Sequence, residues 1–170
     1  MHICSDTCIW VDFQTINALE LPFKLGCKYY MSSDALDEEL LSPPGIKEEL
    51  LRLGLIAFEI GDEELSLVYD YGTKYRRLSA KDRIALAIAK QNGYMLLTGD
   101  KQLRLAAEIE GVVVRGTLWI LDEILKGALI SKDTYRRCIN DLKRFNGQKI
   151  RLPDAELRKR LEELDNLTSG

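Results

Sequence analysis

The sequence predicts an α/β fold, a three-layer α/β/α sandwich with a mostly parallel central sheet. Two observations carry that reading. Short apolar runs alternate with longer stretches of helical periodicity along the chain, the pattern of β-α-β units with right-handed crossovers. Two of the apolar runs also stop on a carboxylate: "ICSD" ends at Asp6 and "MLLTGD" at Asp100. In an open parallel sheet, ligands bind beyond the carboxyl ends of the strands, where helices begin.

The elements follow in order. Residues 2–5 form a strand and 8–19 a helix, in which Trp10, Val11, Phe13 and Ile16 crowd together. An apolar surface of that kind is covered by the rest of the chain or by a second subunit. "KYYMS" (28–32) is the second strand, and Ser33 is placed to cap a helix over 34–41. Pro43-Pro44-Gly45 interrupts the chain and starts a helix that ends near residue 54. "LIAFEI" (55–60) is the third strand, followed by a helical stretch over 62–77. Ser79 caps a helix over 80–92, and Asn92-Gly93 closes it as a left-handed glycine does. "YMLLT" (94–98) and "VVV" (112–114) are the last strands, with a helix over 101–110 between them. Helices over 117–127, 131–145 and 153–165 finish the chain.

Bulk properties bound the function. A chain of 170 residues suffices for about one domain with a full core. Hydrophobic residues at 46% and charged residues at 30% suit a soluble globular protein. The net charge of −3 supplies no global positive field, so contact with nucleic acid needs a local basic patch. Cys4, Cys8, Cys27 and Cys138 form no C-x-x-C pair, and His2 is the single histidine, which excludes the usual zinc sets. Cysteines of this kind read as free thiols in a reducing cytoplasm. No signal peptide and no apolar run near the length of a membrane helix is present, so a cytoplasmic protein with no membrane contact is expected.

Two further acids join Asp6 and Asp100. Asp82 opens the 80–92 helix on the face of Ala85, Leu86 and Ala89. It also closes a Ser79-x-x-Asp82 capping box and suits the helix dipole. In the 34–41 helix, Leu36 and Leu40 mark the buried stripe. Glu39 lies on its edge and Glu38 faces water, so Glu39 is the stronger candidate. Each acid alone also has a plain structural role, as a cap or a solvated charge. Together at strand ends and helix starts they would repel unless a cation sat among them. Carboxylate oxygens suit Mg2+ or Mn2+ rather than zinc.

These stretches resemble the PIN domain family of metal-dependent ribonucleases, over residues 2–120 or so. "ICSDTCIW" is similar to the family's opening strand with its acid, and "ALDEEL" to the helix motif whose Glu precedes a Leu, here Glu39. "LSAKDRIALAIAKQNGYMLLTGDKQLRLAAEIEGVVVRGT" is similar to the second half, where one acid opens an Ala-rich helix and another ends the next strand. That half, with Arg104, and the tail "GQKIRLPDAELRKRLEELD" resemble a subgroup related to VapC-like toxins. The subgroup often carries Glu where this chain has Asp82, and a second Asp where it has Gly99. On this basis we assign residues 1–128 to a PIN-like nuclease domain and 129–170 to a C-terminal helical extension packed on it.

The resemblance implies an endoribonuclease dependent on Mg2+ or Mn2+. Asp6 and Asp100 are then the principal metal ligands and catalytic acids, and Glu39 and Asp82 complete the site directly or through water. Lys81, Lys101 and Arg104 are candidates for contact with the RNA substrate, within a wider group of cations that includes Lys74, Arg76, Arg77 and Arg83. Tyr71 and Tyr75 either stack on bases or pack as a pair. The resemblance also implies the toxin of a toxin–antitoxin pair, with an antitoxin protein as partner, and a homodimer. The alternative is a catalytically silent PIN-like protein that binds nucleic acid or an antitoxin. A phosphatase of the HAD type needs D-x-D after the first strand, and Cys8 stands in its third place. A phosphorelay receiver does not fit the spacing of the acids.

Overall fold

The computed structural model describes residues 1–168. Its centre is a five-stranded sheet with every pair parallel: β1 (His2–Ser5), β2 (Lys28–Ser32), β3 (Ile56–Phe58), β4 (Met95–Leu97) and β5 (Val114–Arg115). The α/β class is the one the sequence predicts. The strand order is β3-β2-β1-β4-β5. The chain winds outward from β1 to β3, then returns to the other side of β1 to lay down β4. The order therefore reverses between β1 and β4, the place where open α/β sheets form a ligand crevice at their carboxyl edge. Both outer strands are short, which limits the exposed edge.

The helices among the described residues are α1 (Thr7–Thr15), α2 (Ser33–Glu38), α3 (Ile46–Leu53), α4 (Asp62–Lys74), α5 (Ala80–Asn92), α6 (Lys101–Ile109), α7 (Thr117–Lys126), α8 (Lys132–Phe145) and α9 (Asp154–Thr168). Most begin and end within a few residues of the expected places. Ser79 caps α5 as expected: its hydroxyl accepts from Asp82 N, and the Asp82 carboxylate accepts from Ser79 N. Gly93 ends α5 at φ 66°, a conformation that costs glycine little. Ser32, not Ser33, caps α2, because Ser32 is the residue still in the extended conformation, and its hydroxyl accepts from Ala35 N. Helix α2 ends sooner than expected, so that Glu39 is its C-cap. A short 3-10 turn, Pro22–Leu25, lies in a stretch where the sequence predicts no element.

The chain forms two compact units that alternate along the sequence: Met1–Ile9 with Gly26–Gly116, and Trp10–Leu25 with Thr117–Gly170. The first unit holds the sheet. Its core joins Leu86 and Ile88 of α5 to Cys4 of β1, Leu96 of β4, and Leu103 and Ala107 of α6. The leucines and isoleucines among them each contribute about 1.5–3 kcal/mol when fully buried.

The second unit is helical. Tyr135, Cys138, Ile139 and Leu142 form the buried stripe of α8, at the i, i+3, i+4, i+7 spacing of an amphipathic helix. Arg160 of α9 grips Asp122 of α7 through Nε and Nη2, and the Tyr135 hydroxyl donates to the same carboxylate at 2.6 Å. Trp10 stacks on Phe23 with ring centroids 5.4 Å apart. Trp10, Phe13 and Ile16 are all buried within the chain. Val11, the fourth residue of the apolar crowd on α1, is half-buried.

Candidate active site

All four acids picked from the sequence belong to the first unit. Asp6 follows β1, and its backbone N–H donates to Leu97 O of β4 at 2.9 Å, which places it in the crevice between these two strands. Its carboxylate is held from three sides. Thr7 N donates to Oδ1 at 2.7 Å, and the Thr98 hydroxyl and the Cys8 thiol donate to Oδ2 at 2.8 and 3.2 Å. Burial pushes this carboxyl up from the ordinary Asp range, and the nearby charge of Asp82 pushes it further. The three hydrogen bonds pull the other way.

The sequence does not single out Thr98, yet this residue organises the site. It is fully buried at the end of β4. Its hydroxyl donates to Asp6 and accepts from Asp100 N at 3.0 Å, so one oxygen links the ends of β1 and β4. Arg104 reaches back from α6 to donate to Thr98 O at 2.9 Å, which makes it a positioning residue for this turn. Asp100 is the N-cap of α6, with Oδ1 accepting from Leu103 N at 2.8 Å. Gly99 N donates to Cys8 Sγ at 3.2 Å.

Glu39 is joined to the group through Thr7, whose hydroxyl donates to Glu39 Oε2. Asp82 acts on Asp6 through its charge while its Oδ2 caps α5. Glu39 and Asp100 are thus linked to the Asp6–Thr7 turn through two threonines, Asp100 by its backbone N–H, and Asp82 is linked to it by its charge. Among the described residues, no three such side chains stand close enough to hold a metal ion as they are placed. Each capping acid commits one carboxylate oxygen to its helix, and among the described residues the other makes no hydrogen bond or ion pair: Oδ1 of Asp82 and Oδ2 of Asp100. The donor set is all carboxylate oxygen, which fits a hard divalent ion, and a cation here would reverse the upward push on Asp6.

The three candidate cations differ. Lys81 pairs with Glu38 at 2.9 Å. Arg104 is turned inward on Thr98, and Lys101 is exposed at the start of α6.

A family model described as a PIN domain matches residues 2–166. None of the curated proteins matches the chain. Among the described residues, no helix is long and apolar enough to cross a membrane.

Proposed function

Because the chain belongs to the PIN domain family, whose members are generally nucleases, we propose that it is an endoribonuclease dependent on Mg2+ or Mn2+. The observation that carries this reading is the shared Thr98 hydroxyl. It ties the carboxylate of Asp6 to the start of the Asp100 helix at the sheet's switch point. Asp6 and Asp100 would hold the ion, with Glu39 and Asp82 completing its surroundings. When bound, the ion would activate water and offset charge that develops on the phosphate. The chain's own part is to fix the carboxylates. The helix caps hold Asp82 and Asp100, Thr7 and Thr98 hold Asp6, and Arg104 holds the turn between them.

The test is cleavage of single-stranded RNA by the purified chain. Cleavage is expected with Mg2+ or Mn2+ and none with excess EDTA. No cleavage with any divalent ion would refute the enzyme and favour a silent nucleic-acid-binding or antitoxin-binding protein. A place in a toxin–antitoxin pair, an antitoxin partner and a homodimer rest on the family resemblance. A cytoplasmic setting is supported by the four cysteines, none of which enters a disulfide.

Gly99 offers a direct probe of the metal. A Cβ there would meet only Cys8 Sγ, at an ordinary 3.6 Å. Gly99→Asp therefore fits, and it adds a carboxylate beside Asp100. The variant is expected to melt lower without metal and to bind Mn2+ about tenfold tighter, read as a larger rise in melting temperature per addition of Mn2+. An equal or smaller rise than in the parent would count against a metal at this place.

A further inference from the structure

We propose that a groove along α6 is a subsite for a nucleotide of single-stranded RNA flanking the cleaved phosphate, an inference that rests on the ribonuclease reading above. The groove encloses about 340 Å³ and lies wholly within the first unit. Tyr75, Arg76 and Arg77 form one wall, and Gln102, Leu105 and Ile109 the other.

The two walls offer the two things a nucleotide needs. Leu105 and Ile109, one turn apart, are 46% and 67% exposed, an apolar ledge of the kind on which a base rests. Arg76 and Arg77 are exposed and make no ion pair among the described residues, which leaves both guanidinium groups for phosphate. A third cation of the lining, Lys74, is already engaged by Glu110, and of the neighbouring cations Lys81 is engaged by Glu38 and Arg104 by Thr98 O. Tyr75 is fixed in the wall. Its hydroxyl donates to Glu110 and its ring packs against Tyr71 with centroids 5.6 Å apart.

Location favours RNA over a protein partner. Gln102 lies in the first turn of α6, the helix that Asp100 caps, and Leu78 at the other wall leads directly into Ser79 and the Asp82 helix. From Gln102 to Ile109 the groove follows α6 for about 10 Å at the rise of an α-helix, and it begins two residues after Asp100. A strand bound along it would have one end at the start of the helix that Asp100 caps. A chain with net charge −3 and four acids at its crevice repels RNA there, so affinity has to come from a basic stretch alongside.

The test measures binding of a short fluorescent single-stranded RNA to the full chain in EDTA, across a salt series. Arg76→Gln with Arg77→Gln is expected to weaken binding about tenfold or more and to reduce the slope of log K against log salt by about 1.4, two phosphates at about 0.7 each. Leu105→Ala with Ile109→Ala is expected to weaken binding about fivefold at unchanged slope. Parent-like binding by either double variant overturns the subsite. So does a parent that ignores RNA but binds an acidic peptide through the same arginines, which would make the groove a protein-docking face. Cleavage by the parent is scored separately with Mn2+. Binding that depends on the groove without any cleavage sinks the nuclease and leaves the groove an RNA-binding surface, not a subsite for cleavage. Cleavage with no effect of the groove variants keeps the nuclease and sinks the subsite.

Discussion

Asp6→Asn is expected to abolish RNA cleavage and, in metal-free buffer near neutral pH, to raise the melting temperature. On the proposed function, the loss of activity follows from removing the charge of a proposed ligand at the switch point. A metal's stabilisation of phosphate charge is worth several kcal/mol, and about 4 kcal/mol is roughly a thousandfold in rate. The gain in stability follows from linkage. Burial and Asp82 raise the Asp6 carboxyl in the folded state. A raised carboxyl contributes stability that is fully present below the unfolded Asp value and is lost as pH rises through the folded value. At neutral pH the parent has lost it, and an uncharged asparagine never carries that cost. The gain should therefore vanish in acid.

One hydrogen bond survives the exchange, one reverses its direction, and the bond from the Cys8 thiol is lost, because an amide nitrogen cannot accept. The carbonyl oxygen of the new side chain accepts from Thr7 N, and its amide nitrogen donates to the Thr98 hydroxyl, which can accept from it and from Asp100 N together. Asp100→Asn separates the two effects. It should cut activity as deeply, but asparagine caps a helix as well as aspartate does, so stability should hardly change. Melting curves without metal at acid and neutral pH decide the matter. If the Asp6→Asn difference has the same sign and size at both, the electrostatic account of the site is wrong.

How much of this site is legible in the sequence depends on what each part needs. Asp6 and Asp100 can be placed at the crevice because a strand end followed by a helix start is a local pattern. The Ser79 box and the Gly93 stop are local too, and the structure has both. Thr98 is invisible for a physical reason. A Thr at the end of an apolar run reads as an ordinary β-branched strand residue. Its hydroxyl matters only because β1 and β4 are neighbours, and neighbourhood is a property of sheet order, not of periodicity. The covering of α1 is hidden likewise. Trp10 meets Phe23 in an unpredicted 3-10 turn, and Asp12 meets Thr117, far away in sequence.

Sequence and structure together also remove a false choice. From sequence, capping and metal binding look like alternatives for Asp82 and Asp100, but each cap occupies only one oxygen. A cap fixes the side chain's rotamer against its own helix. That lowers the entropy to be lost when the other oxygen takes a ligand. An acid that caps a helix is thus a more ordered candidate ligand than an acid on an open face, such as Glu39, whose restraint is the Thr7 hydroxyl.

Asp12→Asn is expected to make the protein more stable at neutral pH and to flatten its pH dependence in the mildly acid range. Asp12 lies on α1, is buried, and accepts a hydrogen bond from the Thr117 hydroxyl at 2.6 Å. Burial pushes its carboxyl up to about 6, against the pull of that hydrogen bond. The sign is that of a raised acid. Its stabilising contribution is full below about pH 4, the ordinary Asp value, and is lost as pH rises past about 6. A rise of about two pH units corresponds to about 3 kcal/mol between those limits. Asparagine keeps the contact, because its Oδ1 accepts from Thr117 as the carboxylate did, and it carries no charge into the interior. Urea unfolding of parent and variant near pH 4 and near pH 7.5 is the measurement. The difference between the two proteins should grow by about 3 kcal/mol from the first condition to the second. Thr117→Val should act oppositely. It strands a buried carboxylate, raises the Asp12 carboxyl further, and lowers stability at neutral pH by about 1–3 kcal/mol. If the parent and the Asp12→Asn variant differ by the same amount at both pH values, then Asp12 is solvated in solution, and the bond to Thr117 does not hold a charge inside the helical unit.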